Sequence, residues 1–219
     1  MPGPLMSNFK TSKRDFSYTM QITVESIRQY FQSFQRSKQE YSELIPAAVL
    51  ILLFEKDDEL SIVLTKRTNG VKHHKGQVSF PGGTKEILDE TLADTALREA
   101  GEEIGLMPND VEVIGLLNDF CTPSGFCITP IVGFLPINSS FVLNKTEVSE
   151  IFYVPLSFFL EPSNERSEQR EQSGKKKTVY FYRYGTYEIW GATAEILRTF
   201  LHGLTEKSST KRLCKSGNS

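Results

Sequence analysis

The segment LREAGEEIGL, residues 97 to 106, constrains the fold of this chain more than any other part of the sequence. Glu102 and Glu103 follow Glu99 by three and four positions, so all three glutamates share one face of a helix. The opposite face is apolar at helical spacing and consists of Leu92, Ala93, Ala96, Leu97, Ala100 and Ile104. We therefore predict a helix that packs one face on a hydrophobic core and presents three carboxylates on the other.

Carboxylates crowded on one helix face raise one another's pKa unless a cation neutralises them. Mg²⁺ and Mn²⁺ suit such a face because both prefer oxygen ligands. The alternative is a solvated acidic face in which Arg98 is the local partner. For an arbitrary glutamate-rich helix that alternative is the better interpretation, so the residues before the helix have to decide.

A basic segment precedes the helix. No acidic residue occurs between residues 66 and 75, and the lysines and arginine there are Lys66, Arg67, Lys72 and Lys75. A basic loop beside an acidic helix suits a bound polyanion, because the cations contact phosphates while metal ions bridge those phosphates to carboxylates. The pattern indicates phosphoryl chemistry, which needs positioning, charge neutralisation and an activated water.

The segment from Gly83 to Leu106, GTKEILDETLADTALREAGEEIGL, resembles the Nudix box, G-x5-E-x7-R-E-U-x-E-E-x-G-U, where U is aliphatic. The matching positions are Gly83, Arg98, Glu99, Glu102, Glu103, Gly105 and Leu106. The front half is one residue longer than the pattern, so either Asp89 or Glu90 stands for its first acid.

The Nudix resemblance implies an α/β fold, an α/β/α sandwich with a mixed sheet, and hydrolysis of a diphosphate linked to another moiety. It implies Mg²⁺ or Mn²⁺ as cofactor, with the candidate metal ligands Glu99, Glu102, Glu103, the Gly83 carbonyl, Glu147 and Glu150. The implied catalytic residues are Glu99 and Glu102, with Arg98 orienting the carboxylates. For Glu147 and Glu150, a charge pair at a strand edge is the alternative interpretation.

The stretch from Leu64 to Gly83, LTKRTNGVKHHKGQVSFPGG, is similar to the signature that precedes the box in coenzyme A pyrophosphatases of this superfamily. Lys72 replaces the arginine of that signature, which keeps the charge but loses the bidentate fork. This resemblance implies cleavage of coenzyme A or its derivatives to 3′,5′-ADP and 4′-phosphopantetheine, or acyl-phosphopantetheine. The predicted substrate-binding residues are Lys66, Arg67, Lys72, Lys75 and Gly82.

The 219 residues suffice for one domain with a full core. We predict a disordered tail over 1–20, a Nudix domain over 21–204 and a second disordered tail over 205–219. The domain is predicted to begin with a helix over residues 24–36. The segments PAAVLILLF and LSIVLTKR predict a hairpin of two strands, and residues 165–184 a charged hairpin. Phe120 and Phe126 are assigned to the core or a pocket wall. Trp190 is assigned to the core, with stacking on adenine as the alternative.

Net charge, apolar run length and cysteine content limit which binding partners and which cellular compartment are expected. A formal net charge of −2 gives no general attraction to nucleic acid, and the longest apolar run, 47–54, is too short to span a bilayer. The three cysteines suit a reducing compartment, and Cys121 and Cys127 are interpreted as buried small hydrophobes. We therefore predict a cytoplasmic protein with a small-molecule diphosphate substrate and neither a nucleic-acid nor a membrane partner.

Two other functions stay open. One is a Nudix hydrolase that acts on ADP-ribose or dinucleotides, since it would share the acidic helix. The other is a binding module that kept the fold without catalysis, although an intact set of three glutamates argues against it. The sequence leaves the oligomeric state open, with a homodimer as one option.

Overall fold

A computed structural model describes residues 22–37, 43–68, 76–136, 140–172 and 174–215. The helices are α1 Val24–Gln32, α2 Leu92–Ile104, α3 Leu156–Leu160 and α4 Ala192–Lys215. The strands are β1 Ile45–Lys56, β2 Glu59–Arg67, β3 Val78–Ser79, β4 Gly82–Thr84, β5 Glu112–Leu116, β6 Phe120–Cys121, β7 Phe126–Leu135, β8 Val148–Pro155, β9 Glu165–Gln172, β10 Lys175–Tyr184 and β11 Tyr187–Trp190.

The large sheet is mixed. Its strands follow the order β3-β2-β1-β7-β5, while β4 pairs with β1, β6 with β7 and β8 with β2. The β1–β7 pair is parallel, and the other pairs of this sheet are antiparallel. A smaller antiparallel sheet has the order β11-β10-β9. The predicted α/β class with a mixed sheet is confirmed.

Strand β1 supplies both faces of the core, because successive side chains of a strand point to opposite sides. Leu50 and Leu52 pack in one cluster with Ala96, Ala100 and Ile104 of α2. Ile51 and Leu53 pack in the other with Ile27 of α1 and Phe200 of α4. The sheet therefore lies between α2 on one side and α1 with α4 on the other, which is the predicted three-layer arrangement.

The hairpin of β1 and β2 is confirmed, and its turn explains the choice of residues there. Asp57 and Asp58 have φ of 53° and 61°, and short polar side chains tolerate this left-handed region better than most. The register pairs Lys56 with Glu59, so these two aspartates form a two-residue loop.

The ends of the chain differ in part from the sequence-based expectation. Helix α1 ends at Gln32 rather than extending to residue 36, since Ser33 caps it. Helix α4 continues to Lys215 and so crosses residue 204, where the sequence predicted the domain to end. The predicted tail over 1–20 lies outside the described residues. No helix within the described part of the chain is long and apolar enough to cross a membrane.

Cys121 and Cys127 are half-buried rather than fully buried as predicted. They are register partners across β6 and β7, with their Sγ atoms 3.9 Å apart. Burial is the main cause that raises the pKa of Cys127 to about 11, so its thiol stays protonated at neutral pH.

Candidate active site

Helix α2 is fixed at both ends, which sets the direction of its glutamates. The Asp94 backbone N–H donates to Thr91 Oγ1 at 3.2 Å, and the Thr91 N–H donates to Asp94 Oδ2 at 2.8 Å. This reciprocal pair is a capping box. At the other end Gly105 adopts φ of 68°, a left-handed conformation that glycine takes without steric cost.

Arg98 contacts several acidic side chains of the carboxylate face. Its guanidinium donates from Nη2 to Glu99 Oε1 and from Nη1 to Glu102 Oε2, both at 3.1 Å. It also donates from Nη2 to the Thr84 carbonyl at 3.0 Å, which ties α2 to β4. The hydrogen bonds that Arg98 donates to Asp89 are the main cause that raises the pKa of Arg98. Arg98 therefore holds two of the three glutamates in position.

Asp89, rather than Glu90, is the acid that holds Arg98. Asp89 is 7% exposed, and its Oδ1 accepts from Arg98 Nε at 3.0 Å. Its Oδ2 accepts from the Thr95 hydroxyl at 2.9 Å and from the Glu86 N–H at 2.8 Å. Hydrogen bonding from Arg98 is the largest cause that lowers the pKa of Asp89 to about 2. Glu90 is exposed, so Asp89 fills the position that the sequence left open.

Glu103 is the most buried of the three glutamates, at 1% exposure. Burial raises its pKa to about 8. The positive charge of Arg67 acts in the opposite direction and lowers this pKa, since Arg67 Nη1 lies 3.5 Å from Glu103 Oε1. Burial also raises the pKa of Glu99. The negative charge of Glu147 contributes to both increases. Its loop is tied to α2, because the Asn144 N–H donates to the Glu103 carbonyl and the Glu147 N–H donates to the Asn144 carbonyl, both at 3.0 Å.

Two glycines let the backbone of β4 approach its neighbours. A Cβ on Gly83 would lie 2.4 Å from the carboxyl carbon of Glu99, and one on Gly82 would lie 2.3 Å from the Ala48 carbonyl oxygen. Gly82 also has φ of 151°, which L side chains rarely adopt. Side chains at these positions would displace either the Glu99 carboxylate or strand β1, which explains the Pro-Gly-Gly sequence before the helix.

Lys66 and Glu150 are not brought to the carboxylate face. Lys66 Nζ lies 2.9 Å from Glu150 Oε1, and the Tyr187 hydroxyl donates to Glu150 Oε2 at 2.7 Å. Lys66 and Glu150 are register partners of β2 and β8, so they share one face of the sheet. Arg67, the next residue of β2, points to the other face and reaches Glu103. Lys72 and Lys75 lie outside the described residues.

The donor set suits a hard divalent cation. Glu103 Oε2 is buried without a hydrogen-bond partner among the described residues, which is costly unless something else binds it. Oxygen atoms of Glu99, Glu102 and Glu147 and the Gly83 carbonyl are the kind of ligands that Mg²⁺ and Mn²⁺ prefer. Within the described residues, however, no group of three acidic, histidine or cysteine side chains already converges as a metal site. Binding would therefore require the carboxylates to turn from Arg98 toward the ion.

A cleft of about 560 Å³ opens beside β4. Arg67, Gly82 and Gly83 line it on the side of the carboxylates. Its aromatic walls are Phe80, Phe120, Phe126 and Trp190. Its other polar side chains include Thr122, Ser124, Lys177, Thr178, Thr193 and Glu195. Phe120 and Phe126 are thus pocket wall, one of their two predicted places. Trp190 also lines the cleft, whereas the sequence favoured a place in the core.

Sequence reasoning missed Lys177 and Glu195 as cleft residues. The sequence assigned Lys177 only to the charged hairpin of residues 165–184, and Glu195 lies in the first turn of α4. Both are remote in sequence from the Nudix-like segments, so no local pattern marks them. They reach the cleft through tertiary packing, in which α4 contacts β10 and β11, and β11 contacts β3 of the large sheet.

The fold and this site define an α/β/α protein with an acidic, oxygen-rich centre at the mouth of an aromatic cleft. The NUDIX domain family model matches residues 44–173, and the chain belongs to that family.

Curated relatives agree with this assignment. Nudix hydrolase 15, mitochondrial, of Arabidopsis thaliana is 44% identical over 158 residues, which cover 69% of this chain and 55% of that protein. Nudix hydrolase 22, chloroplastic, of the same plant is 43% identical and is covered to 52%. The uncharacterized Nudix hydrolase NudL of Photorhabdus laumondii is 40% identical over 151 residues and is covered to 80%. The chain thus spans about half the length of the two plant relatives.

Proposed function

We propose that this protein is a metal-dependent pyrophosphohydrolase that cleaves coenzyme A or its derivatives. The products would be 3′,5′-ADP and 4′-phosphopantetheine, or acyl-phosphopantetheine. One observation carries the proposal: Arg67, from the coenzyme A-type stretch, lies 3.5 Å from Glu103 of the Nudix-like helix, and it lines the cleft with Gly82 and Gly83. The two sequence resemblances therefore meet at one site.

Glu99, Glu102, Glu103 and Glu147 would hold the metal together with the Gly83 carbonyl. A bound Mg²⁺ or Mn²⁺ would neutralise charge on the diphosphate and lower the pKa of a coordinated water. Glu150 is left out of this set because Lys66 and Tyr187 already bind its carboxylate. Lys66 is left out of the substrate-binding set for the same reason.

The side chains then have separate roles. Asp89 holds Arg98, and Arg98 holds Glu99 and Glu102, so the guanidinium positions carboxylates rather than substrate. Arg67 faces the cleft and would contact a phosphate oxygen of the substrate. Glu102 has the most exposed side chain of the three glutamates, at 55%, so it is the one placed to meet a water molecule.

The hydrolysis of one diphosphate consumes one water molecule. Its oxygen forms a bond to one phosphorus of the diphosphate, and the bond from that phosphorus to the bridging oxygen breaks. Glu102 accepts the proton of the attacking water, and the bridging oxygen leaves with the other phosphate. In this scheme Glu102 acts as general base.

A substrate panel tests the proposal. Coenzyme A, acyl-coenzyme A esters, ADP-ribose, NADH and diadenosine polyphosphates are assayed side by side with Mg²⁺ and with Mn²⁺, with Glu102→Gln as the inactive control. Coenzyme A compounds should give the highest kcat/KM. Much faster turnover of ADP-ribose or a dinucleotide would replace the coenzyme A assignment with the other hydrolase function. Binding of these compounds without turnover in either metal would favour a binding module.

The cytoplasmic location is also a proposal, which cell fractionation tests. It follows from the three cysteines and the absence of a disulfide framework in the sequence. Recovery of the protein in an organelle fraction would contradict it. One relative is named mitochondrial and another chloroplastic, so location in an organelle is the alternative that this experiment has to test.

A further inference from the structure

One row of residues crosses the floor of the cleft from strand to strand. Phe120 of β6 pairs with Ile128 of β7, Ile128 pairs with Ala47 of β1, and Ala47 pairs with Thr84 of β4. Neighbouring strands are about 4.8 Å apart, so the two ends of this row are separated by about 14 Å. All four residues line the cleft.

The β4 end of this row belongs to the proposed diphosphate site. The Thr84 carbonyl accepts from Arg98 Nη2 at 3.0 Å, and the neighbouring Gly83 lies against the Glu99 carboxylate. A group that sits at the β6 end is therefore too far away to contact the phosphates that are hydrolysed.

The β6 end carries a cation. The Lys177 ammonium lies 5.4 Å from the centre of the Phe120 ring, and Lys177 lines the cleft. Its register partner on β9 is Arg170, another cation, so the hairpin does not supply a carboxylate directly opposite it. Lys176, the preceding residue, instead lies opposite Glu171 and does not line the cleft.

Hydroxyl groups accompany this cation. Thr122 and Ser124, in the turn between β6 and β7, also line the cleft, and their side-chain oxygens are 2.9 Å apart. A lysine ammonium on its flexible stem, in a cleft that also presents hydroxyl groups, is suited to bind a phosphate as a point charge.

We propose that Lys177, with the hydroxyls of Thr122 and Ser124, binds a second phosphate of the substrate, a phosphomonoester set apart from the diphosphate. The inference rests on the proposed function, under which that group is the 3′-phosphate of coenzyme A. The aromatic walls between the two ends of the cleft then accommodate the nucleoside. Lys177 thus determines specificity and takes no part in bond cleavage.

Binding without turnover tests this inference separately from the proposed function. Adenosine 3′,5′-bisphosphate and adenosine 5′-monophosphate are titrated by calorimetry into the wild type, Lys177→Met and the control Lys176→Met. The wild type should bind the bisphosphate at least about tenfold more tightly, the value of one hydrogen bond to a charged group. Lys177→Met should abolish this difference and Lys176→Met should keep it.

Two binding results would overturn the inference. One is a wild type that binds both nucleotides equally, and the other is a preference that survives in Lys177→Met. The hydrolysis assay adds a second readout, in which Lys177→Met should lower kcat/KM for coenzyme A about tenfold and leave dephospho-coenzyme A unchanged. Failure of the wild type to cleave either compound would contradict the proposed function, while the nucleotide titration would still decide the role of Lys177.

Discussion

Replacement of Asp89 by asparagine tests the connection between the loop before α2 and the carboxylate face. The folded protein lowers the pKa of Asp89 from 3.8 to about 2, mainly through hydrogen bonding from Arg98. At about 1.4 kcal/mol per pKa unit, the ionised Asp89 stabilises the fold by about 2 kcal/mol. Since the folded pKa lies below the unfolded one, this stabilisation is present above pH 4 and disappears as the pH falls through about 2.

We therefore expect Asp89→Asn to lower the free energy of unfolding by about 2 kcal/mol at pH 7, and the melting temperature by about 4 to 8 °C. The difference from wild type should shrink in melts at successively lower pH, from 4 toward 2. Glu90→Gln is the matched control, because Glu90 is exposed and surface substitutions change stability by about 0.5 kcal/mol or less. Equal destabilisation by both variants, or an effect of Asp89→Asn that does not vary with pH, would refute the reasoning.

Other substitutions test the metal site. Glu102→Gln and Glu103→Gln should each lower kcat on the order of a hundredfold, because the amide supplies no negative charge to the metal. Without metal, Glu103→Gln should melt above wild type at pH 7, because wild-type folding must protonate this carboxyl, whose pKa the fold raises from 4.5 to about 8, and the amide avoids that cost; a loss of stability would contradict the raised pKa. Glu147→Gln should weaken Mn²⁺ binding, measured by titration calorimetry, and Glu150→Gln should not; the reverse order would exchange their assignments. Gly83→Ala should keep the fold but lose most activity in the coenzyme A assay, because its Cβ would meet the Glu99 carboxyl at 2.4 Å; near-normal kcat would show that this contact relaxes freely.

Local patterns predicted the parts of the fold that depend on neighbours in sequence. The apolar stripe of α2 packs on the core as expected, and its glutamates share one face because that face depends only on helical spacing. The β1–β2 hairpin follows in the same way from two apolar runs and a turn. Glu99, Glu102 and Glu103 therefore fall close together, as the sequence predicted from one helix.

The site residues that the sequence placed wrongly or left open depend on which face of a strand a side chain points to and on the conformation of loops. Lys66 and Arg67 are adjacent in sequence, yet only Arg67 faces α2, and a shift of one residue in strand phase would exchange them. The β2–β8 pairing is irregular at this point. Glu147 precedes β8, whereas Glu150 lies within it and pairs with Lys66. Counting along the box did not distinguish Asp89 from Glu90, because the loop contains an extra residue and only its conformation decides which acid points inward.

The contrast between the two ends of the cleft has a consequence for how this protein could be redesigned. At the catalytic end, Gly82 and Gly83 leave no room for even a methyl group. At the opposite end, the turns of the β6–β7 and β9–β10 hairpins contain Gly125 and Gly174, where an added Cβ would meet nothing within 4 Å. Gly125 and Gly174 have φ of 91° and 74°, so a side chain placed on either glycine would be strained despite the open space. Changes in the length of these turns, rather than replacement of the two glycines, can therefore alter substrate preference while the hydrolytic centre stays as it is.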